Sequence, residues 1–540
     1  MNIYRSFTAL AIFLGLLFMP LTSGIPANQL AQPLLASGTS CVTGSPAAGQ
    51  SVKLCFTSPQ NNSSLSGDTT VTVSATLTGK PSGIQRMVYY LNGDYFLTDY
   101  QSPYTFSLPS SHWKDGSYNL AVEATLRSGF DTPRASLTLT FNNGNKVAPV
   151  NTNQFKPTSG TLPAKGAPFI FAAAGDGASG EVNSANVVKL IASMKPNLFI
   201  YLGDVYEKGT FAEMYNYYGT QGSNFAQFKS ITDPTVGNHE YTNGGQAQDY
   251  FYYWDNIPSY YSFDAGGWHF ITLNSNGSYV SDSSGSPQYK WLVSDLSAHP
   301  QACTIVYYHE PVYNIGQESS AKQMASIWAL LAEHHVSIVL NGHDHDYQRW
   351  VPLDGQGKPS PTGITEFVAG GGGHGLQTAA RSDSRIAYSS FANPTTFGAL
   401  KFTLTSQSAS FIYENTAGKT LDSGTIACQQ STAVVGGPEV PGDVSAASVL
   451  GRQIQVSWAP IPNDTAISGY TVYRDGQKLA TVPEYILNYT DTAVQQGSTY
   501  QYSVDAFDQD GNSTATSPAA TVIVSPMAMV CHSECLGITR

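Results

Sequence analysis

The stretch Val336-Ser-Ile-Val-Leu-Asn-Gly-His343-Asp-His345 decides the fold class of the middle of this chain. Its first five residues form a mostly apolar run, as expected for a strand that is buried on both faces of a sheet. Two histidines follow in alternate positions, so in an extended segment their imidazoles face the same side. Because ligands bind beyond the carboxyl ends of strands in open α/β sheets, this stretch predicts a buried strand that ends at a binding site.

Earlier segments repeat this arrangement of an apolar run followed by polar side chains. Buried strands are predicted at Phe169–Ala174, Leu198–Leu202 and Thr304–Tyr308, and amphipathic helices at Gln288–Ala298 and Ala321–His334. The polar groups that follow the strands, or in one case a short apolar turn, are Gly175-Asp176-Gly177, Gly203-Asp204, Gly237-Asn238-His239-Glu240 and His309-Glu310. Strands that alternate with helices predict an α/β (α+β) sandwich whose strand ends converge on one site.

The rest of the chain is predicted to form further domains, since 540 residues suggest roughly three or four. Short alternating runs separated by turns predict an all-β sandwich at residues 40–145, and a linker at 146–166 leads to the central domain at 167–428. A second all-β sandwich is predicted at 438–525, and the tail at 526–540 has no assignment. Residues 1–24 are interpreted as a signal peptide, with an uncleaved anchor as the alternative, because their apolar run is too short to span a bilayer comfortably.

Charge and cysteine content limit the possible partners and the compartment. The formal net charge is −12 and the chain has no basic run, which argues against nucleic acid as a partner. Six cysteines behind a signal peptide permit disulfides and indicate a secreted protein. Proximity in sequence suggests the pairs Cys41–Cys55, Cys303–Cys428 and Cys531–Cys535, although the sequence leaves other pairings open. No segment after the signal peptide is predicted to cross a membrane.

The candidate residues have the donor chemistry of a site for two metal ions. Carboxylate oxygens together with imidazole nitrogens suit zinc, manganese or iron, whereas magnesium and calcium prefer oxygen alone. Two cations about 3.5–4 Å apart need a shared ligand, and Asp204 is the natural bridge because it is central in the series. The glycines before Asp176, Asp204, Asn238 and His343 are expected to let the backbone turn sharply where each side chain reaches inward.

Together these motifs resemble the calcineurin-like metallophosphoesterase superfamily, and within it the purple acid phosphatase-like branch. The resemblance covers residues 167–415 and includes the Gly175-Asp-Gly177 block, the strand pair in Tyr261–Asn274 and the helix that begins at Gln288. The two flanking sandwiches resemble a bacterial immunoglobulin-like module and, through Gly469-Tyr-Thr-Val-Tyr-Arg474, a fibronectin type III module.

The resemblance implies a set of metal ligands. These are Asp176, Asp204 and His345 for one metal, and Asp204, Asn238, His309 and His343 for the other.

Purple acid phosphatases also carry a ligand tyrosine three residues after the bridging aspartate. Here Glu207 occupies that position, and the tyrosine, Tyr206, lies one residue earlier. Tyr206 is therefore a candidate metal ligand whose role the sequence leaves open. The choice between an iron-containing centre and a pair of zinc or manganese ions stays open with it.

This site predicts a secreted phosphatase that hydrolyses phosphate monoesters of small molecules by attack of a hydroxide held between two metal ions. His239 would stabilise the phosphoryl charge or protonate the leaving oxygen, Glu240 would orient its neighbours, and His374, in a glycine-rich loop, is a candidate substrate contact. A phosphodiesterase or nucleotidase with the same core is the close alternative. A different class is a surface-binding protein, in which the β-sandwiches contact a cell surface or a polysaccharide and the central domain is inactive.

Overall fold

The structure, a computed structural model, describes residues 40–164, 167–300, 302–390, 396–429, 441–449, 453–461, 467–508, 513–514 and 516–524. The predicted signal peptide at 1–24, the tail at 526–540 and the predicted pair Cys531–Cys535 lie outside these ranges. Within them, no helix is both long and apolar enough to cross a membrane.

The N-terminal part folds as the predicted β-sandwich, because its strands alternate buried apolar and exposed polar side chains. In the fourth strand, for example, Val71 and Val73 are buried while Ser74 is exposed. The strands are β1 (Cys41–Gly44), β2 (Ser51–Ser58), β3 (Ser64–Leu65), β4 (Asp68–Thr78), β5 (Ile84–Leu91), β6 (Asp94–Asp99), β7 (Tyr104–Pro109), β8 (Gly116–Leu126) and β9 (Ala135–Phe141). They form the sheets β1-β2-β4-β7 and β3-β9-β8-β5-β6.

The central domain consists of two mixed sheets. The strands are β10 (Phe169–Ala174), β11 (Leu198–Tyr201), β12 (Tyr261–Ala265), β13 (Trp268–Thr272), β14 (Thr304–Tyr307), β15 (Ile338–Asn341), β16 (Tyr347–Trp350), β17 (Thr365–Ala369), β18 (Ile386–Ser389), β19 (Gly398–Leu404), β20 (Ser408–Asn415) and β21 (Thr420–Ala427). One sheet has the order β11-β10-β19-β20-β21, and the other has the order β12-β13-β14-β15-β17-β16-β18. Aromatic side chains join the sheets, since Phe171 packs on Phe270 and Phe367 packs on Phe402. The predicted α/β (α+β) sandwich is confirmed.

Helices cover this domain where the sequence has helical spacing. They are α1 (Val182–Met194), α2 (Phe211–Glu213), α3 (Gln248–Tyr253), α4 (Pro287–Ala298) and α5 (Ala325–Glu333). Helix α4 begins where predicted because Ser286 accepts a hydrogen bond from the backbone N–H of Tyr289 and Pro287 occupies the first turn. The helix predicted at 321–334 is divided into a 3₁₀ turn, Lys322–Met324, followed by α5.

The N-terminal sandwich and the central domain share one continuous cluster of buried apolar side chains. The predicted linker at 146–166 lies against the central domain rather than away from it. The side-chain amide of Asn151 donates to the carbonyl of Tyr252 at 2.7 Å, and the backbone N–H of Thr158 donates to Asp233 at 2.7 Å. The sequence suggested separate modules on a linker, whereas the structure joins these two domains through a common core.

The C-terminal sandwich has its own core around Trp458 and Tyr470. Its strands are β22 (Ser445–Val449), β23 (Gln453–Ser457), β24 (Ile467–Arg474), β25 (Gln477–Pro483), β26 (Asn488–Asp491), β27 (Thr499–Asp508) and β28 (Ala520–Ile523). They form the sheets β22-β23-β26 and β25-β24-β27-β28.

Two of the predicted disulfides fall within the described residues, and both are present. Cys41–Cys55 joins neighbouring strands β1 and β2, and Cys303–Cys428 joins residues 125 positions apart. Because Cys303 precedes β14 and Cys428 follows β21, the second disulfide ties the two central sheets together at one end.

A buried histidine joins the hairpin β12–β13 to helix α4. The Nδ1 atom of His269 lies 2.7 Å from a carboxylate oxygen of Asp264, and its Nε2 atom lies 2.9 Å from Asp295. Burial lowers the pKa of His269, but the hydrogen bonds and charges of the two carboxylates outweigh this effect and raise it to about 9. His269 is thus held as a cation between the hairpin and the helix.

This raised pKa predicts a specific pH dependence of stability. A group whose folded-state pKa is raised contributes stability that is fully present below its unfolded pKa, 6.5, and is lost as pH rises through about 9. We expect the free energy of unfolding to fall by up to about 3 kcal/mol across this window. His269→Gln should abolish that fall in urea denaturation, whereas the exposed control His335→Asn should keep it. Parallel profiles for His269→Gln and the wild type would contradict this prediction.

Candidate metal centre

Strand ends from both central sheets meet at one place. Asp176 and Asp204 follow β10 and β11 of one sheet, and His309 and His343 follow β14 and β15 of the other. Each of these pairs belongs to parallel strands, whose carboxyl ends necessarily meet at the same edge. The convergence predicted from the sequence therefore results from the way the two sheets pack.

One group of donor atoms surrounds the side chain of Asn238. Its Oδ1 atom lies 2.9 Å from Nε2 of His309 and 3.0 Å from Nδ1 of His343. An Asp204 oxygen lies 3.2 Å from the same His309 nitrogen. The Nδ1 atom of His309 faces the carbonyl of Leu202 at 2.7 Å, which fixes Nε2 toward the group.

A second group of donor atoms surrounds the hydroxyl of Tyr206. This oxygen lies 2.8 Å from Asp176 Oδ1, 3.2 Å from Asp204 Oδ2 and 2.8 Å from Nε2 of His345. The Nδ1 atom of His345 faces the carbonyl of Gly375 at 2.7 Å. Tyr206 thus points into the centre although it stands one residue earlier than in the family pattern.

Asp204 belongs to both groups. Its Oδ2 atom faces His309 on one side and Tyr206 on the other, at 3.2 Å from each. Its Oδ1 atom accepts a hydrogen bond from the backbone N–H of His239 at 3.0 Å. This arrangement is the one expected of a bridging carboxylate.

Of the four glycines expected to let the backbone turn at the site, Gly203 has a left-handed φ of 95°. Asp176, Asp204 and His343 themselves have left-handed φ values of 58°, 62° and 75°, which are uncommon for non-glycine residues. The other three glycines allow close approach instead. A Cβ on Gly237 would lie 2.5 Å from the backbone N of Asp204, and one on Gly342 would lie 2.5 Å from Asp176 Oδ2.

The electrostatics of the centre are those of a cation site. Asp176 and Asp204 are both buried, and no lysine or arginine in the described part of the chain forms an ion pair with them. Burial and the charge of Asp204 raise the pKa of Asp176 to about 8, against the opposing influence of His309. Burial also acts to raise the pKa of Asp204, but His309 and His239 outweigh it and hold that pKa below its usual range. Carboxylate, amide, phenol and imidazole donors around this negative charge fit two metal cations.

A cavity of about 220 Å³ opens onto the donor atoms. Its lining residues are Asp204, Tyr206, Asn238, His239, Glu318, His343, His345 and His374.

His239 stands at the edge of this cavity, with 28% of its side chain exposed. Its Nδ1 atom lies 2.6 Å from the carbonyl of Glu207, and its Nε2 atom lies 3.8 Å from Asp204. Because a carbonyl only accepts hydrogen bonds, Nδ1 carries a proton and Nε2 is the atom directed toward the centre. Burial lowers the pKa of His239, but Asp204 and the Glu207 carbonyl outweigh it and raise that pKa above its ordinary value.

His374 lines the cavity, as expected of a residue in the glycine-rich loop, but both ring nitrogens face carboxylates. Nδ1 lies 2.6 Å from Glu181 and Nε2 lies 3.3 Å from Glu207. Its ring stacks on that of Tyr206 with a centroid distance of 4.1 Å. In this arrangement both ring nitrogens are engaged by carboxylates of the protein.

Glu240 has the orienting position that the sequence suggested. Its two carboxylate oxygens accept hydrogen bonds from the backbone N–H groups of Val205 and Gly237, each at 2.7 Å. Glu240 therefore ties the loop after β11 to the loop that carries Asn238. Glu181 and Glu318 could not be identified as site residues from the sequence, because each is an isolated acidic residue outside any motif.

Comparisons with known proteins agree with this fold. Residues 179–347 match the family of calcineurin-like phosphoesterases, residues 45–122 match bacterial Ig domains, and residues 439–523 match fibronectin type III domains. The chain therefore contains a calcineurin-like phosphoesterase domain between an Ig-like and a fibronectin type III domain, as the sequence resemblance predicted.

Curated relatives of the chain include plant purple acid phosphatases. Purple acid phosphatase 18 of Arabidopsis thaliana is 38% identical over 125 residues, which are 22% of this chain and 28% of that protein. Purple acid phosphatase 23 of the same plant is 39% identical over 103 residues, 17% of this chain and 21% of that protein. The chain thus spans less than a third of the length of these relatives. A solved structure of a purple acid phosphatase from yellow lupin (Lupinus luteus) seeds is 16% identical in sequence and has a TM-score of 0.42. The match covers 72% of this chain and 83% of the lupin chain.

The close approach at Gly237 gives a testable prediction. Gly237→Ala is expected to lower the free energy of unfolding by about 2–3 kcal/mol, because the added methyl group would push the Asp204 and Asn238 loops apart. Gly375→Ala is the matched control, since a Cβ at this exposed position would meet nothing within 4 Å. Urea denaturation of both variants measures the difference, and equal stabilities would contradict the role assigned to Gly237.

Proposed function

We propose that this protein is a secreted phosphoesterase that uses two metal ions to hydrolyse phosphate monoesters. The observation that carries the proposal is the pair of donor groups that share Asp204 at the floor of a cavity. Asp176, Asp204, Tyr206 and His345 would hold one ion, and Asp204, Asn238, His309 and His343 would hold the other. The phosphoesterase domain match supports the same reaction class.

The two ligand sets differ in chemistry, which bears on metal identity. The first set offers oxygen from two carboxylates and a phenol with one imidazole, whereas the second offers two imidazoles. Oxygen-rich sites suit harder ions such as manganese, and imidazole suits zinc and iron. We therefore propose iron, zinc or manganese. When bound, these ions would supply Lewis acidity at the phosphoryl oxygens and lower the pKa of an attacking water molecule.

His239 is proposed as the catalytic residue because its Nε2 atom is directed toward the centre from the cavity wall. The hydrogen bond from its Nδ1–H to the Glu207 carbonyl fixes the ring orientation. Nε2 can then donate to a phosphoryl oxygen or pass a proton to the leaving oxygen.

The size and lining of the cavity bear on the substrate. About 220 Å³ is less than the roughly 300–1,000 Å³ of sites that enclose a whole drug-sized ligand. The cavity therefore suits a phosphoryl group and the leaving atom, with the rest of a small substrate outside. Parallel assays with p-nitrophenyl phosphate and bis(p-nitrophenyl) phosphate separate the monoesterase from the diesterase alternative.

Secretion and the role of the outer domains are parts of the same proposal. Two disulfides within the described residues are consistent with an oxidising compartment outside the cytosol. The Ig-like and fibronectin type III domains are proposed to contact a cell surface or a polysaccharide.

Metal analysis of the purified protein tests the central claim. We expect about two metal ions per wild-type chain, with hydrolysis of p-nitrophenyl phosphate that a chelator abolishes and added metal restores. His309→Ala and Asn238→Ala should each lose metal and at least about 100-fold in kcat/KM, because each removes a ligand. The exposed His335→Ala is the control and should behave as wild type. A wild-type protein that binds no metal and hydrolyses neither ester would favour the surface-binding alternative.

A second substitution separates catalysis from metal binding. His239→Asn should lower kcat by about 100- to 1,000-fold while metal content stays at the wild-type value, because His239 contributes no metal ligand. Steady-state kinetics together with metal analysis of the same preparation measures both quantities. Loss of metal in this variant, or an unchanged kcat, would refute the role proposed for His239.

A further inference from the structure

The segment that carries Tyr206 lies between the candidate metal centre and the Ig-like domain. It follows β11, passes through Tyr206 and Glu207, and continues into α2 and the π-helical turn Met214–Tyr218. Tyr206 is directed at the donor atoms of Asp176 and Asp204. The opposite side of the segment rests on the Ig-like sandwich.

Several side chains of the segment are hydrogen-bonded to the backbone of the Ig-like domain. The hydroxyl of Thr210 donates to the carbonyl of Phe96 at 2.6 Å, and that of Tyr217 donates to the carbonyl of Thr98 at 2.5 Å. The side-chain amide of Asn216 pairs with both backbone groups of Ser107, at 2.8 and 2.9 Å.

Ring stacking extends this interface, since Phe211 lies flat on His112 with a centroid distance of 3.5 Å. In addition, Tyr95 donates to Glu213, whose carboxylate accepts hydrogen bonds from the backbone N–H groups of Glu207 and Lys208. The loop that follows Tyr206 is therefore held in place by side chains and carbonyls of another domain.

A series of contacts leads from Tyr100 of the Ig-like domain to the ring of Tyr206. The hydroxyl group of Tyr100, just after β6, donates a hydrogen bond to the carboxylate of Glu207. The same Glu207 oxygen faces Nε2 of His374 at 3.3 Å, and Glu181 holds the other ring nitrogen. Because both nitrogens are held by carboxylates, the imidazole plane is fixed, and its face stacks on Tyr206.

We propose that the Ig-like domain is part of the catalytic unit and that its Tyr100 is a positioning residue, which acts through Glu207 and His374 to hold Tyr206 toward the metal centre. This inference rests on the proposed function, because the value of a fixed Tyr206 depends on its being a metal ligand. Partners of metal ligands commonly change metal affinity or activity by about 10- to 100-fold when removed. Tyr100 reaches the candidate ligand Tyr206 only through two intervening residues, so its effect should lie at the lower end of that range.

The test compares two variants of the full-length protein. Tyr100→Phe removes only the hydroxyl group that reaches Glu207. Tyr90→Phe is the matched control, because its hydroxyl donates to Glu123 at 2.5 Å within the Ig-like sandwich. Thermal unfolding establishes that both variants are folded.

Three measurements follow: cobalt(II) titration of the metal-free protein by visible absorption, kcat and KM for p-nitrophenyl phosphate, and amide hydrogen exchange of residues 205–213. We expect Tyr100→Phe to raise the first or second cobalt dissociation constant about tenfold. It should also lower kcat about tenfold, with KM within about twofold of the wild-type value. Its 205–213 amides should exchange at least about threefold faster, and Tyr90→Phe should match the wild type in every measurement.

A double substitution tests the route through Glu207. If Tyr100 acts through that carboxylate, Tyr100→Phe should have a much smaller effect on kcat and cobalt affinity in a Glu207→Gln background than in the wild type. Additive effects would overturn the route. Wild-type cobalt affinity, kcat and exchange in Tyr100→Phe would overturn the inference and leave the proposed function intact.

Faster exchange without any change in kcat or cobalt affinity would also overturn the inference, because it would show a purely structural contact. Failure of the proposed function has a different signature. In that case the wild-type protein itself would bind no cobalt and hydrolyse no ester, and unchanged 205–213 exchange in Tyr100→Phe would then overturn the positioning role as well.

Discussion

The burial of Asp176 and Asp204 next to each other is the constraint on which the rest of the centre depends. Removing two carboxylates from water is costly, and their mutual repulsion adds to that cost. The described part of the chain brings no lysine or arginine to them and instead provides a phenol, imidazoles and backbone N–H groups. Such a site is stable only when a cation completes it or a proton is taken up, and the raised pKa of Asp176 reflects the same imbalance.

The close packing around these carboxylates follows from that constraint. A rigid centre needs both aspartates held by the ends of buried strands, and their left-handed backbone conformations are strained positions that only surrounding structure can maintain. Gly237 and Gly342 supply the space for this, because any side chain there would meet the aspartates. Glu240 then fixes two of the loops with backbone hydrogen bonds. Close contacts around Asp176 and Asp204 therefore hold their strained backbone conformations in place.

Local pattern was sufficient to predict the central strands and the convergence of their ends, whereas Tyr206 and the division of the candidate ligands between two ions came from the family resemblance. Each strand is an apolar run followed at once by a polar group, so both the element and the direction of its side chains are encoded within a few residues. The contacts of His374 with Glu181 and Glu207 could not be predicted in this way, since they join residues that are far apart in sequence. The shared core of the Ig-like and central domains was missed for the same reason, because composition indicates a module but not what it packs against.

The position of Tyr206 shows how a one-residue difference in sequence can be resolved by tertiary structure. With tyrosine at 206, its hydroxyl points into the donor group, and the next residue, Glu207, is directed at Tyr100 and His374. The register that brings the phenol to Asp176 therefore also brings a carboxylate to the Ig-like domain. Burial and the charges of Asp176 and Asp204 raise the pKa of Tyr206, so without a cation its neutral hydroxyl donates to these carboxylates. The domain interface and the candidate metal centre therefore both contact the loop that carries Tyr206 and Glu207.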